Sequence, residues 1–371
     1  MQEKRRIAIV GAGIAGMALA LLVKKQGHQV VLYERTQAHA AMGAGVTLWP
    51  NALFVLEQMG LTQQIVQAGG LPDSLCQYDH QGTEISALSV KQLNKLSGYL
   101  TVTILRRDLI RLLADALTAL GGVIRFNTAV THEEIDGLRK EYDLVVGADG
   151  RMNSAVRQYL YPQHIEPVYQ GVVNVIGISK AEPGMLNNSI CDFRRPGERF
   201  GIVPVKKELC FWAGAWRSEI EENRPEASLY HDLNQRFSSW AEPVRSVLKA
   251  ANTDAIQRIF VHDLDTLPYW HKDNVVLIGD TAHASLPTSG QGACQALEDA
   301  WHLAGLISKY DDPSVLLGTF YERRIAKATA AQHSGRQLAR QIFFAHHESP
   351  TERSPLSVAK LNQLWMQGLE S

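Results

Sequence analysis

Short unbroken apolar runs alternate along this chain with stretches whose apolar residues recur every three or four positions. The runs read as buried strands and the recurring stretches as helices. Arg6–Val10 is the first run and His28–Tyr33 the second. Between them Met17–Lys25, rich in Ala and Leu, reads as a helix ended by Gly27. Thr101–Leu120 changes from a strand pattern to a helical one, with Leu109, Leu112, Leu113, Ala116, Leu117 and Leu120 at helical spacing. Val123–Ala129, Tyr142–Val146 and Asn274–Ile278 return to the strand pattern.

From about residue 166 to 259 the character shifts. Gly171–Lys180, Arg199–Val205 and Leu209–Trp216 read as strands, the last two joined by a Lys206-Lys207-Glu208 turn, and Ala227–Ala250 reads as helical. Trp212, Trp216 and Trp240 gather here, and plain core packing is the expectation for them. Nearer the end Ala328–Phe344 reads as a helix, broken by Ser349-Pro350 and Ser354-Pro355, with a second short helix at Val358–Leu369. A helix packing across two domains is the plain reading of this tail.

A chain of 371 residues is long enough for roughly two domains of about 100–200 residues each. The formal net charge of -1 gives no global electrostatic reason to expect nucleic acid or a membrane surface as partner. Cys76, Cys191, Cys210 and Cys294 are far apart and form no CxxC pair, which argues against a disulfide framework or a metal site and fits a cytoplasmic protein. The charged start, MQEKRRIAIVGAG, reads as a lead into the first strand, because glycines interrupt the apolar run at once. No stretch approaches the roughly 20 apolar residues of a membrane span.

The candidate chemistry begins where the first strand ends. Gly11-Ala-Gly13-Ile-Ala15-Gly16 lies between strand and helix, and Glu34 closes the second strand 18 residues past Gly16. Gly11 permits the tight turn, Gly13 lets the backbone approach a pyrophosphate, and Gly16 lets helix and strand pack closely. The helix N-terminus offers free N–H groups and partial positive charge to phosphates. Glu34 would accept bonds from adenosine ribose hydroxyls and repel a 2′-phosphate, which leaves NAD or FAD at this site. Gly43 and Gly45 then form a second glycine cluster before an apolar helix, suited to a cofactor with a second half to hold. Far downstream, Ile278–Cys294 (IGDTAHASLPTSGQGAC) runs from a strand through Asp280 and a proline loop to a Gly-x-Gly turn that opens a helix. Asp149-Gly150 after a buried strand is ordinarily only a turn, with Asn153-Ser154 capping the helix that carries Arg157. Spacing alone makes Arg106 a solvated arginine at a helix start.

These motifs, in this order, resemble the class A flavoprotein monooxygenases, the para-hydroxybenzoate hydroxylase-like family. The matching pieces are GAGIAG with Glu34, Arg106-x-x-Leu109, GADG at Gly147–Gly150, and GDTAH with GQG at Gly279–Gly292. The resemblance implies an α/β fold with an α+β insert. A Rossmann-like FAD-binding domain would be assembled from segments 1–70, 100–165 and 260–325. A β-rich substrate domain would take 71–99 and 166–259, leaving 326–371 as a helical tail. It implies FAD as cofactor, held by Gly11, Gly13, Ala15, Gly16, Glu34, Arg35, Gly45, Thr47, Arg106, Val130 and Asp149. Asp280 would bond the ribityl chain, with Pro287, Gly290, Gly292 and Ala293 at the ring; His283 would be structural, fixing the loop. It implies NADH or NADPH as a transient reductant, O2 as co-substrate, and a flavin C4a-hydroperoxide that transfers one oxygen atom to a small, electron-rich, often aromatic substrate. With one GxGxxG, the choice between NADH and NADPH stays open, as does monomer or homodimer.

Within the family the chain looks most like the urate and salicylate hydroxylase-like branch. That likeness places Arg199 and Phe211 on the insert's paired strands as substrate contacts, with Asn174 beside them. Where urate hydroxylases carry an acid in the proline loop, this chain has Thr288, which removes the obvious base and speaks against urate. The Trp-x-Trp-x-Ile-Pro string shared by flavin halogenases is absent. A flavin oxidoreductase without oxygen insertion and a non-catalytic flavin-binding protein are the remaining alternatives.

Overall fold

Six strands form a sheet in the spatial order His271–Lys272, Val275–Leu277, Leu144–Gly147, Arg6–Val10, Gln29–Tyr33 and Val123–Arg125. All neighbours are parallel except the short hairpin His271–Lys272 with Val275–Leu277. A computed structural model describes residues 4–37, 45–182, 184–206, 208–221, 228–344 and 357–369. Gly43, Lys207, Ala227 and the two Ser-Pro breaks of the tail lie outside the described residues. Parallel strands need both faces covered, and these read as near-continuous apolar runs for that reason. The helix Ile14–Lys25 is buried from Ile14 to Val23, between Gly292–Ile307 and Arg106–Ala119.

The second sheet has seven strands, in the order Gln257–Asp263, Val168–Lys180, Leu209–Arg217, Glu198–Pro204, Ser189–Arg195, Ser74–Asp79 and Glu84–Ser89. Side chains alternate across it. Val173, Val175, Phe200, Ile202, Trp212 and Trp216 face a core closed by the helices Leu229–Phe237 and Glu242–Lys249. Val172, Asn174, Arg199 and Ala215 face the opposite way. All three clustered tryptophans are core residues, as expected.

Several expected boundaries move. Gln257–Asp263 is one strand of the second sheet, so a border at 259/260 cuts through it. Val90–Ser97 buries Val90 and Leu93 in the first core, although the strands before it, Ser74–Asp79 and Glu84–Ser89, belong to the second sheet. Pro313–Ala339 is a single helix, so a border at 325/326 falls inside an unbroken element. The helix expected over Ala227–Ala250 is two, because Pro243 suits only the first turn of a new helix. Ser189–Arg195 is also a strand, and its two arginines and aspartate give it no apolar strand pattern in the sequence. Leu120 falls at the cap of its helix, 42 % exposed, and not on the buried face.

Candidate active site

Register brings the motifs together. Val10 and Leu277 both pair with Gly147, so three adjacent parallel strands end in one row. The GAGIAG turn, the GADG turn and the Gly279-Asp280 loop leave the sheet side by side at its carboxyl edge. In open parallel sheets that edge is where ligands bind.

The glycines of the first turn divide by what surrounds them. A Cβ on Gly11 would lie 2.2 Å from the Ala148 carbonyl oxygen, and Gly11 has φ +103°. A Cβ on Gly16 would lie 2.1 Å from the Gly11 carbonyl oxygen. Both positions are therefore demanded by the protein's own packing. A Cβ on Gly13 would meet nothing within 4 Å. Its bareness keeps room for an incoming group at the helix N-terminus, as a pyrophosphate requires. Beside it Glu34 accepts the Ala12 N–H at 2.9 Å, and the Thr36 N–H and hydroxyl at 2.9 and 2.8 Å. Arg35 and Arg106 are exposed, and among the described residues neither guanidinium has a partner.

The GADG and GDTAH loops are tied directly. Gly150 N–H donates to Thr281 Oγ1 at 2.9 Å, and that hydroxyl donates to Asp149 Oδ1 at 3.2 Å. Ser154 also donates to Asp149, at 2.7 Å, and caps the helix Ala155–Leu160, while Asn153 takes a left-handed φ of +50°. Burial pushes the Asp149 carboxyl above the usual carboxylate range. Arg157, 3 % exposed, donates to the carbonyls of Thr281 at 3.1 Å and Arg151 at 2.6 Å.

Gly279, at φ +60°, would place a Cβ 2.9 Å from the Ala15 methyl, so the first and last motifs touch there. Its N–H donates to Asp299 Oδ2 at 2.7 Å, and His283 Nε2 meets the same oxygen at 2.6 Å. His283 is thus a buried loop anchor, as the family resemblance implied. Burial disfavours the charged form of Asp299, but His283 and Arg324 outweigh it and hold the pKa below the ordinary range. Arg324 bridges Asp299 and Glu298 at 2.7 Å each, and Lys327 meets Glu298 at 2.8 Å. This charged cluster beneath the loop had no signature in the chain's spacing.

Asp280 starts the short helix after Gly279 and is half-buried; among the described residues its carboxylate has no hydrogen-bond partner. Gly290 turns at φ +62° and Gly292 opens the 16-residue helix Gly292–Ile307, with no acidic residue in its first turn. Gly292 and Ala293 are half-buried at that positive end. Cys294 behind them is fully buried, and burial lifts its thiol to about 12.

Three expected contacts have other neighbours. Gly45 pairs with Leu105, and a Cβ there would lie 2.3 Å from the Phe211 ring, so packing as well as any ligand requires this glycine. Thr47 lies within the same strand, its carbonyl 3.7 Å from Cys294 Sγ. Val130 is half-buried against the first core.

Next to the GQG turn lies a narrow, partly open cleft, called the cavity below. Asn174 and Arg199 line it from the sheet, and Pro287 and Thr288 from the proline loop. Phe211 does not line it: that ring sits four residues along the strand from Ala215, over Gly45. Thr288 turns away, its hydroxyl donating to the Gly335 carbonyl at 2.7 Å. Arg199 Nε donates to Asp192 Oδ1 at 2.6 Å, and Asp192 also takes Arg194. Gln170, Val172 and Val261 complete the sheet wall, and Ala339 and Phe343 come from the tail. Alternation along Val172-Val173-Asn174 is the signal that locates the first of these; nothing in the sequence locates the tail residues.

The chain is 30% identical over 337 residues to the aurachin C monooxygenase/isomerase of Stigmatella aurantiaca, covering 88% of this chain and 87% of that one. It is 30% identical over 328 residues to the 6-hydroxynicotinate 3-monooxygenase of Pseudomonas fluorescens, covering 82% and 83%. The fold matches Klebsiella pneumoniae HpxO complexed with FAD and uric acid at TM-score 0.82, with 21% identity, over 100% of this chain and 93% of that one. Sheet, motif row and relatives together define a class A flavoprotein monooxygenase. The chain belongs to the FAD binding domain family, whose model matches residues 4–333. Its cofactor is FAD; the room at Gly13, the N–H groups of two helix N-termini and the Asp280 carboxylate, which has no partner among the described residues, are space, donors and an acceptor that fit such a molecule.

Proposed function

We propose that this protein hydroxylates a small, electron-rich aromatic or heteroaromatic ring, using NADH or NADPH and O2. The observation that carries this reading is the position of the cavity: Leu286, Pro287 and Thr288 line it and lead directly into the Gly290–Gly292 turn. A ring held there would stand beside whatever occupies the helix N-terminus at Gly292. Relatives named for urate, 6-hydroxynicotinate and 3-amino-4-hydroxybenzoate support the ring class.

Gly11, Gly13, Gly16, Glu34, Arg35 and Arg106 would hold the ADP half of FAD, Asp280 the ribityl chain, and Gly290–Ala293 the ring. When bound, FAD supplies the redox chemistry that joins a nicotinamide hydride to oxygen insertion. The protein's own residues do the rest. The N-terminus of Gly292–Ile307 would offer partial positive charge to the negative charge that the bound flavin gains on reduction. Leu286, Pro287 and Phe343 line the cavity with apolar surface, which would limit water and wasteful peroxide release. Arg199 and Asn174 would orient the substrate's polar edge. The Thr288 hydroxyl is committed to Gly335, so no acid or base in this loop moves a substrate proton.

Purified protein should be yellow. Phenols, purines, indoles and polyketides should be screened for stimulated NADH or NADPH oxidation, with mass spectrometry of the products. Stoichiometric hydroxylated product is expected. Protein that takes up no FAD, or oxidises nicotinamide with peroxide as the only product for every compound, would overturn the reading. If Arg199→Ala leaves apparent substrate affinity unchanged, Arg199 has no part in orientation.

A further inference from the structure

The far wall of the cavity comes from the tail. The helix Pro313–Ala339 runs into a π-helical turn, Arg340–Phe344, and Ala339 and Phe343 of these two elements face the cavity. Phe343 is 4 % exposed and Ala339 5 %, and with Ile342 they form a small apolar cluster with Val172, Ala215, Val261 and Leu286. The turn is pinned to the second sheet on both sides. Gly197 N–H donates to the Ile342 carbonyl at 3.0 Å, and the Arg217 guanidinium lies 5.0 Å over the Phe344 ring. A π-turn widens a helix by one residue per turn and often marks a functional position. Phe343 is therefore a large, fixed ring.

Charge around the cavity is matched only when Asp265, which takes Arg336 Nη1 at 2.7 Å, is counted: Arg194, Arg199 and Arg336 face Asp192, Asp263 and Asp265. Asp192 holds Arg199 and Arg194. Asp263, whose Oδ1 accepts from the lining residue Gln170 at 2.8 Å, is capped by Arg336 at 2.6 and 2.9 Å. An anion entering here would have to share an arginine already engaged by a buried carboxylate. The remaining lining is mainly apolar.

We propose that Phe343 is the specificity-determining wall of this cavity, and that the ring it accepts is uncharged, with an apolar edge packed against Phe343. This rests on the cavity being the substrate site of the proposed hydroxylase. An unused substituent pointing at Phe343 must be short; a longer one is admitted only when that ring is removed.

The test titrates the FAD-loaded protein with 4-ethylphenol, 4-hexylphenol and 4-hydroxybenzoate at neutral pH, read by perturbation of the flavin absorbance. Wild type should bind 4-ethylphenol at least about tenfold more tightly than 4-hexylphenol or 4-hydroxybenzoate. Phe343→Ala should gain at least about tenfold for 4-hexylphenol and keep its order for the other two. Phe343→Trp should lose 4-ethylphenol. Phe344→Ala, which alters the turn outside the cavity, should leave the length preference alone. If Phe343→Ala fails to fold, Phe343→Leu and Phe343→Trp decide by opposite shifts in length preference. An unchanged preference in folded Phe343 variants overturns the wall, and tighter binding of 4-hydroxybenzoate, or no binding of either phenol, overturns the uncharged ring. The expected binding shifts, with peroxide as the only product for every compound of the wider screen, would instead sink the hydroxylase reading and leave the wall standing.

Discussion

The Thr281 hydroxyl accepts the Gly150 N–H at 2.9 Å, across 131 residues of sequence. Through that bond, and its own to Asp149, the two later motif loops become one rigid edge of the site. Replacing Thr281 with Val removes both hydrogen bonds and leaves a partly buried N–H unmatched. A loss of about 1–3 kcal/mol in chemical denaturation is expected, with weaker FAD retention. Thr281→Ser should recover most of both, and full stability in Thr281→Val would mean the joint is not a structural one.

Gly13 and Gly16 should separate binding from folding. Gly16→Ala meets the Gly11 carbonyl and should lower the melting temperature of the flavin-free protein. Gly13→Ala meets nothing in the protein and should leave that temperature unchanged, yet weaken FAD by at least about tenfold, through lost room for the pyrophosphate. Flavin fluorescence on dilution measures the second effect. Equal FAD affinity in Gly13→Ala would place the pyrophosphate elsewhere.

Asp280 is free of protein partners among the described residues. Asp280→Ala should therefore cost the flavin-free fold little and FAD retention much. Equilibrium dialysis with FAD, beside thermal melting of the flavin-free protein, checks both halves. Unchanged flavin affinity would mean that another group holds the ribityl chain.

Arg324 is 1 % exposed between two fully buried carboxylates. Arg324→Met strands Glu298 and Asp299 in low dielectric, and a loss of about 3–5 kcal/mol is expected in denaturant titration. A loss below about 1 kcal/mol would show that Lys327 and His283 suffice to hold both carboxylates.

His302 supplies a pH signature. Burial, then the charge of Arg324, lowers its pKa from 6.5 to about 3. The unfolded chain thus takes up the proton first, and acid favours unfolding. His302's contribution is complete above pH 6.5 and is lost as pH falls through the interval toward 3, with a slope near 1.4 kcal/mol per pH unit. His28 and His271 are shifted the same way by burial and add to the total. The difference between wild type and His302→Phe, followed by denaturation from pH 7 to 4.5, isolates the one residue, and parallel pH curves would contradict its burial as a neutral ring.

Local chemistry was legible in the chain because its causes are local. Strand, turn, helix and terminal acid follow one another within 34 residues, and a tight turn or a bare helix N-terminus needs only neighbours in sequence. Hence the motifs that point to FAD and the tryptophan core could be read from the chain, whereas the loop-fixing role of His283 came only with the family resemblance. What lies opposite what could not. The row Val10–Gly147–Leu277 depends on parallel pairing between strands more than a hundred residues apart. Phe211 and Ala215 share one face of one strand, yet only Ala215 reaches the cavity, because the distance along the strand decides it. The Asp299–Arg324 pair and the Phe343 wall join elements with no shared periodicity. Their partners are chosen by packing between sheets and helices, and that choice exists only once the chain has folded.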